Sequence, residues 1–238
     1  MTYTNSPLVD YTQISPHRGN RNGHVIDTIT IHCAAAQAAV ETLGRLFQTK
    51  QASANYGIGA DGRVGMYVEE KDRSWCTSNN ANDARAVTIE VACDNRHPYA
   101  VKDAVYKKLI TLVADICKRN GIAKLVWSTD KYDRMNHKGG CNMTVHRDYE
   151  NKACPGQWLY ERHGQIAAEV NKRLTEDEEM VRWKTIEDVP EGFYRDTVRQ
   201  LMQDGIIKGK GNGVIDLTED MLRVTIYNKR MIETMLEK

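Results

Sequence analysis

Apolar and polar positions alternate in some stretches of the chain and recur at helical spacing in others. Val25–His32 (VIDTITIH) alternates and is rich in β-branched residues, which predicts a strand. Val87–Ala92 (VTIEVA) predicts a second strand. Its Val87, Ile89 and Val91 share one face, so Glu90 leaves the other. Tyr56–Ile58 and Val64–Val68 flank the turn dipeptide Asp61-Gly62, a hairpin signal. In Lys102–Asn120, Val105, Leu109, Leu112, Val113 and Ile116 recur at i, i+3 and i+4, the inner stripe of an amphipathic helix. Gly121 follows as its stop. Glu41–Gln48 and Gln157–Leu174 predict two further helices, and polar, glycine-rich Asp130–Asn142 predicts a loop. Residues 1–24 are polar and predict an irregular arm before the first strand. Strands alternating with helices imply an α/β domain with a mixed central β-sheet flanked by helices, over residues 1–175.

The pattern changes after the acidic run Thr175–Glu179, which reads as a linker or helix end. Residues 181–238 are expected to form a small, mainly helical C-terminal module. Tyr194–Gln203 predicts a helix, and glycines 205, 209, 211 and 213 mark a turn-rich centre. Thr218 is placed to cap a last helix from Glu219, with Met221, Leu222, Thr225 and Ile226 as its inner stripe. A unit this small is marginal alone, so packing on the first domain or self-pairing into a homo-oligomer is expected.

Composition narrows the function. Apolar residues make up 41% of the 238 positions, enough for a substantial core. Lysine plus arginine total 33 against 32 acidic residues, a formal charge of +1, which argues against a dedicated nucleic-acid binder. No apolar run approaches the roughly 20 residues that span a bilayer, and the polar N-terminus lacks the apolar core of a secretory signal. Synthesis in the cytoplasm is therefore expected, where the six scattered cysteines stay reduced.

Two histidines stand out by context. His32 ends the first strong strand, where a side chain can be presented at the rim of a sheet. His146 lies in TVHRDYENKACPG, eight residues before Cys154, and Pro155-Gly156 favours a defined turn there. Imidazole and thiolate are both suitable zinc donors, and a catalytic zinc usually takes three protein ligands. A histidine at a strand end is also a common structural residue, and spacing alone does not join these three positions. His137 and Cys141 in NHKGGC suggest a second metal site less strongly than they suggest a flexible loop. Lys107, Lys108, Lys118 and Arg119 read as the wet face of the long helix.

The segments TITIHCA, SANYGIGADGRVGMYV, RAVTIEVACD and VHRDYENKACPG, in that order over roughly residues 20–175, resemble the N-acetylmuramoyl-L-alanine amidases of phage and bacteria. That family shares its fold with the peptidoglycan-recognition proteins. The block formed by His146, Lys152, Cys154 and Pro155 is the most specific part. The resemblance implies a zinc ion on His32, His146 and Cys154, and cleavage of the amide between muramic acid and L-alanine in bacterial peptidoglycan. It implies a catalytic role for Glu90 as general base, for Lys152 beside the metal, and for Tyr56 as a hydrogen-bond donor to the tetrahedral intermediate. Gly57 departs from the histidine common in the family after that tyrosine. Trp75 falls in a substrate-facing loop by the same comparison. The resemblance also implies an endolysin of phage or prophage origin, acting at the cell wall after release. A non-catalytic peptidoglycan-binding module of the same fold is the alternative. The C-terminal stretch is similar to modules appended to clostridial phage amidases, and loosely to S-layer-homology repeats, which implies cell-wall attachment or self-association.

Overall fold

The computed structural model describes residues 3–179 and 182–236. Contacts divide the chain into two compact units, Met1–Leu174 and Thr175–Lys238. The expected start of the second module, residue 181, lies outside the described residues.

The first unit contains β1 (Tyr11–Thr12), β2 (Arg18–Asn20), β3 (Thr28–Cys33), α1 (Val40–Thr49), β4 (Tyr56–Ile58), β5 (Val64–Met66), β6 (Asp72–Ser74), α2 (Asn80–Arg85) and β7 (Ala86–Val91). It continues through α3 (Asp103–Asn120), α4 (Lys131–Met135), β8 (Met143–Thr144) and most of α5 (Gln157–Glu179), whose residues from Thr175 belong to the second unit. Six strands form one mixed sheet in the order β1-β5-β4-β7-β3-β8. Only the β4–β5 hairpin within it is antiparallel.

Register sorts the sheet into two chemically distinct faces. Ile29 pairs with Val87 and Ile31 with Ile89, so their side chains share a face. With Tyr56 and Ile58 they bury against Val105, Leu109, Leu112, Val113 and Ile116 of α3 and Ile166 and Val170 of α5. Thr30 pairs with Thr88, and His32 with Glu90, on the opposite face. Gly57 pairs with Glu90 and lies on that second face too. A Cβ at Gly57 would sit 2.8 Å from the Tyr67 ring and 2.9 Å from Leu43, so the sheet has room only for glycine there. This explains the missing histidine after Tyr56.

Several expectations are corrected. The N-terminal arm is not irregular throughout: β1 extends the main sheet beside β5, and β2 pairs with β6. The loop expected over Asp130–Asn142 contains α4, whose Asp130 cap accepts the Tyr132 N–H. Helix α5 continues through the acidic run to Glu179 instead of ending at Leu174. Arg119 is not on a wet face: its guanidinium donates to the buried Glu70 carboxylate at 2.6 Å.

The second unit has β9 (Arg182–Trp183), α6 (Phe193–Gln203), β10 (Leu217–Thr218) and α7 (Glu219–Leu236). Strands β9 and β10 pair antiparallel. Trp183, Val189, Val198, Leu201, Ile215, Leu217 and Leu222 form its own small core. Thr218 caps α7 by accepting the Met221 N–H at 3.2 Å. The expected inner stripe is corrected at Met221, which is exposed, while Leu222 is buried. Among the described residues, no helix is long and apolar enough to cross a membrane.

Candidate metal centre

The polar face of the sheet carries the site. His32, at the C-terminal end of β3, is fully buried. Its Nδ1 lies 3.3 Å from Cys154 Sγ, and the His146 ring packs edge-on at 5.2 Å between centroids. The ligand atoms of His32, His146 and Cys154 all fall within 4.8 Å of one another. The Nε2 atoms of His32 and His146 are buried without a hydrogen-bond partner among the described residues. Leaving such atoms unpaired is costly. A cation held by this trio would remove part of that cost, and two imidazoles with one thiolate suit zinc.

Electrostatics favours the ligand form of both imidazoles. Burial lowers the His32 pKa to about 3, helped by the charges of His146 and His163. Burial and the Lys152 ammonium lower that of His146. Both rings are therefore neutral near pH 7, as metal binding requires. The Cys33 N–H donates to Cys154 Sγ at 3.4 Å, which holds the sulfur beside the His32 ring.

The loop from His146 to Cys154 is pinned from several sides. The Arg147 N–H donates to the Cys154 carbonyl at 3.2 Å, closing it. Asp148 receives a two-pronged bond from Arg134, with Nε to Oδ2 at 2.7 Å and Nη2 to Oδ1 at 2.6 Å. Arg134 also lies over the Trp127 ring at 4.5 Å. Gly156 takes φ +81°, and a Cβ there would lie 2.6 Å from Tyr99 Cβ, so the chain leaves Cys154 through a position only glycine fits. Beneath His32, Thr30 and Thr144 share a 2.7 Å hydrogen bond, and Asn82 accepts from Thr144 at 2.8 Å.

A cleft of about 520 Å³ opens beside the trio. Glu90, Lys152 and His146 line it together with Trp75, Cys76, Leu46, Phe47 and Lys50. Burial raises the Glu90 pKa to about 7, against a smaller opposing effect of Lys50. Its Oε2 is buried without a hydrogen-bond partner among the described residues. Lys152 is exposed along the same cleft. Trp75 is 38% exposed there, an aromatic surface open to a ligand.

Tyr56 is the site expectation that geometry overturns. It pairs with Ile89, so its ring lies on the apolar face, away from His32 and Glu90. Its hydroxyl donates to Glu70 at 2.6 Å and accepts the Ser6 N–H at 2.9 Å. His137 and Cys141 form no metal site: the ring meets the Cys141 carbonyl at 2.9 Å, and the Cys141 thiol donates to Val126. Sequence reasoning placed Cys76 only in the loop after Trp75, and missed Lys50 and the Arg134–Asp148 pair. Asp148, two residues beyond His146, was the available signal, because a carboxylate so near a candidate ligand invites a search for its partner.

A family model described as N-acetylmuramoyl-L-alanine amidase matches residues 22–157, more than half of the chain. The chain belongs to that amidase family. It is thus a peptidoglycan amidase by family, and the matched span contains His32, Glu90, His146 and Cys154. No curated protein matches the sequence significantly. Among solved structures, a selenomethionine derivative of AmpD aligns at 17% identity with a TM-score of 0.50, over 70% of this chain and 99% of its own. The endolysin amidase LysCS from Clostridium intestinale URNW aligns at 16% identity with a TM-score of 0.50, over 71% of this chain and 99% of its own. At such identities the likeness establishes the fold: the mixed sheet flanked by helices is that of these amidases.

Proposed function

We propose that the amidase hydrolyses the bond between the lactyl group of N-acetylmuramic acid and the first L-alanine of the stem peptide, with zinc on His32, His146 and Cys154. The observation that carries this reading is the convergence of two imidazoles and a thiol within 4.8 Å, with Nε2 of His146 buried and unpartnered among the described residues, next to a carboxylate whose pKa is raised to about 7. Zinc at such a position supplies Lewis-acid polarisation of the amide carbonyl and acidification of water. Glu90 takes the proton of the attacking water and returns it to the L-alanine nitrogen as the C–N bond breaks. A carboxylate poised near neutrality suits both transfers. The Lys152 ammonium offsets the charge that develops on the carbonyl oxygen as the carbon becomes tetrahedral. The Trp75 face offers packing area to the glycan or peptide on either side.

In this reading the protein serves as a phage or prophage endolysin, made in the cytoplasm and acting on the wall after release. Its C-terminal unit attaches to the wall or pairs with a second copy. The test is digestion of purified Gram-positive walls, with mass spectrometry of the products with and without a zinc chelator. New L-alanine amino termini that vanish on chelation are expected. Cleavage within the glycan would overturn the assignment. Retention on walls without cleavage would point instead to a binding module.

A further inference from the structure

The cleft brings together a second set of donors, in which Cys76 joins two residues that hydrolysis already uses, His32 and Glu90. Atoms of His32, Cys76 and Glu90 also lie within 4.8 Å of one another. They comprise an imidazole nitrogen, a thiol sulfur and a carboxylate oxygen, a mixed set that matches the donors zinc takes in proteins. Two of these side chains carry unsatisfied buried atoms, Nε2 of the fully buried His32 and Oε2 of Glu90.

The third donor is held in place. The Cys76 N–H donates to Asp83 Oδ2 at 3.0 Å, and the Thr77 N–H donates to the same oxygen at 3.1 Å. Thr77 Oγ1 donates to Asp83 Oδ1 at 2.6 Å. The backbone carrying the thiol is therefore tied to a buried carboxylate, and Cys76 and Glu90 border the same cleft. Without a cation, burial and the nearby Glu90 charge keep the Cys76 thiol protonated. A divalent cation reverses that balance, because a coordinating thiol gives up its proton to solvent.

We propose that His32, Cys76 and Glu90 form a second zinc position adjoining the first, and that filling it inhibits the amidase by engaging Glu90. This inference rests on the assignment of the first zinc to His32, His146 and Cys154. The two trios share His32: its Nδ1, 3.3 Å from Cys154 Sγ, serves the first position, and its Nε2 serves the second as the ring gives up its N–H proton to solvent and bridges both cations as an imidazolate. Glu90 cannot both coordinate a cation and collect the proton of the attacking water. The second position borders the cleft through Cys76 and Glu90 and so fills and empties with free zinc, whereas two ligands of the first are held by the pinned 146–154 loop.

The experiment is zinc uptake by the full chain, by equilibrium dialysis with metal analysis, for wild type, Cys76→Ala, Cys76→Ser and Cys154→Ala. Wild type is expected to bind one zinc tightly and a second more weakly. Both Cys76 variants are expected to keep the tight ion and lose the weak one, and Cys154→Ala to lose the tight one. Cobalt gives an independent readout: thiolate-to-metal absorption should grow on addition of the second equivalent in wild type and not in Cys76→Ser. Excess zinc should also protect Cys76 from iodoacetamide. Saturating zinc should lower wild-type turnover on the order of 10²-fold or more, the usual cost of losing a general base. Each Cys76 variant should keep its own zinc-free-buffer rate under the same excess. Wild type that saturates at one zinc per chain overturns the second position and leaves the first standing. Cys76 variants that still take up two ions overturn it as well. Absence of any tight zinc overturns both.

Discussion

Arg134 and Asp148 form a buried, two-pronged ion pair two residues from His146, with side chains only 2% and 1% exposed. Removing one partner leaves the other charge buried and alone, which typically costs about 3–5 kcal/mol. Arg134→Ala should therefore lower stability by that amount in chemical denaturation. It should also weaken zinc binding, because the turn carrying His146 loses its anchor. Arg134→Lys should recover little of either, since an ammonium cannot reproduce the paired geometry. Unchanged zinc affinity in a folded Arg134→Ala protein would show that the pair stabilises the fold without positioning the ligand.

Glu90 is predicted to trade stability for activity. Its pKa in the fold is raised to about 7, above the ordinary glutamate value of 4.5, by burial. The fold therefore prefers the protonated form. That stabilising contribution is complete below the unfolded value and is lost as pH rises through 7. In metal-free protein, Glu90→Gln should raise the melting temperature at pH 8 and change it little at pH 4. The same variant should lose about 10²–10⁴-fold in amidase rate. Scanning calorimetry at the two pH values, beside muropeptide release, reads both effects.

Zinc should act as a stabilising ligand. A cation that binds only the folded chain adds RT ln(1 + [L]/Kd), about 2.7 kcal/mol at a hundredfold excess over Kd. Chelation should lower the melting temperature of wild type and leave that of Cys154→Ala in place. A chelator shift of equal size in Cys154→Ala would remove Cys154 from the ligand set.

Tyr56→Phe separates a catalytic from a structural tyrosine. The hydroxyl bridges Ser6 and Glu70 on the apolar face. Its loss should cost about 1–3 kcal/mol, the range for leaving a buried group unsatisfied. Turnover of wall fragments should be unaffected at a temperature where the variant is folded. A fall in turnover without loss of stability would return Tyr56 to the catalytic groups.

The central sheet was legible because β3 and β7 are β-branched and alternate strictly, and α3 because its stripe repeats over several turns. The short strands β1 and β2 carry too few residues for a period, and form because neighbouring strands offer them open edges. Helix α4 escaped notice because the residue it buries is an arginine, Arg134, whose partner lies elsewhere. At the site, His146 and Cys154 share one local loop, and Glu90 announces its face through its neighbours. Tyr56 was misread because alternation within β4 does not reveal its offset against β7. Register decides which face a residue joins, and register is a property of two strands together.

The pairing of His32 with Glu90 across β3 and β7 makes the geometry of the proposed site inseparable from correct assembly. A slip of one residue between these strands would turn every side chain of one of them to the opposite face. Sliding β3 would send His32 toward the α3 core and bring Ile31 to the cleft. Such a chain would set an imidazole among isoleucines and valines and an isoleucine against water, and it could not persist. The register that buries the isoleucines is thus the same one that brings His32 and Glu90 to the cleft face, so core packing and site assembly are selected together.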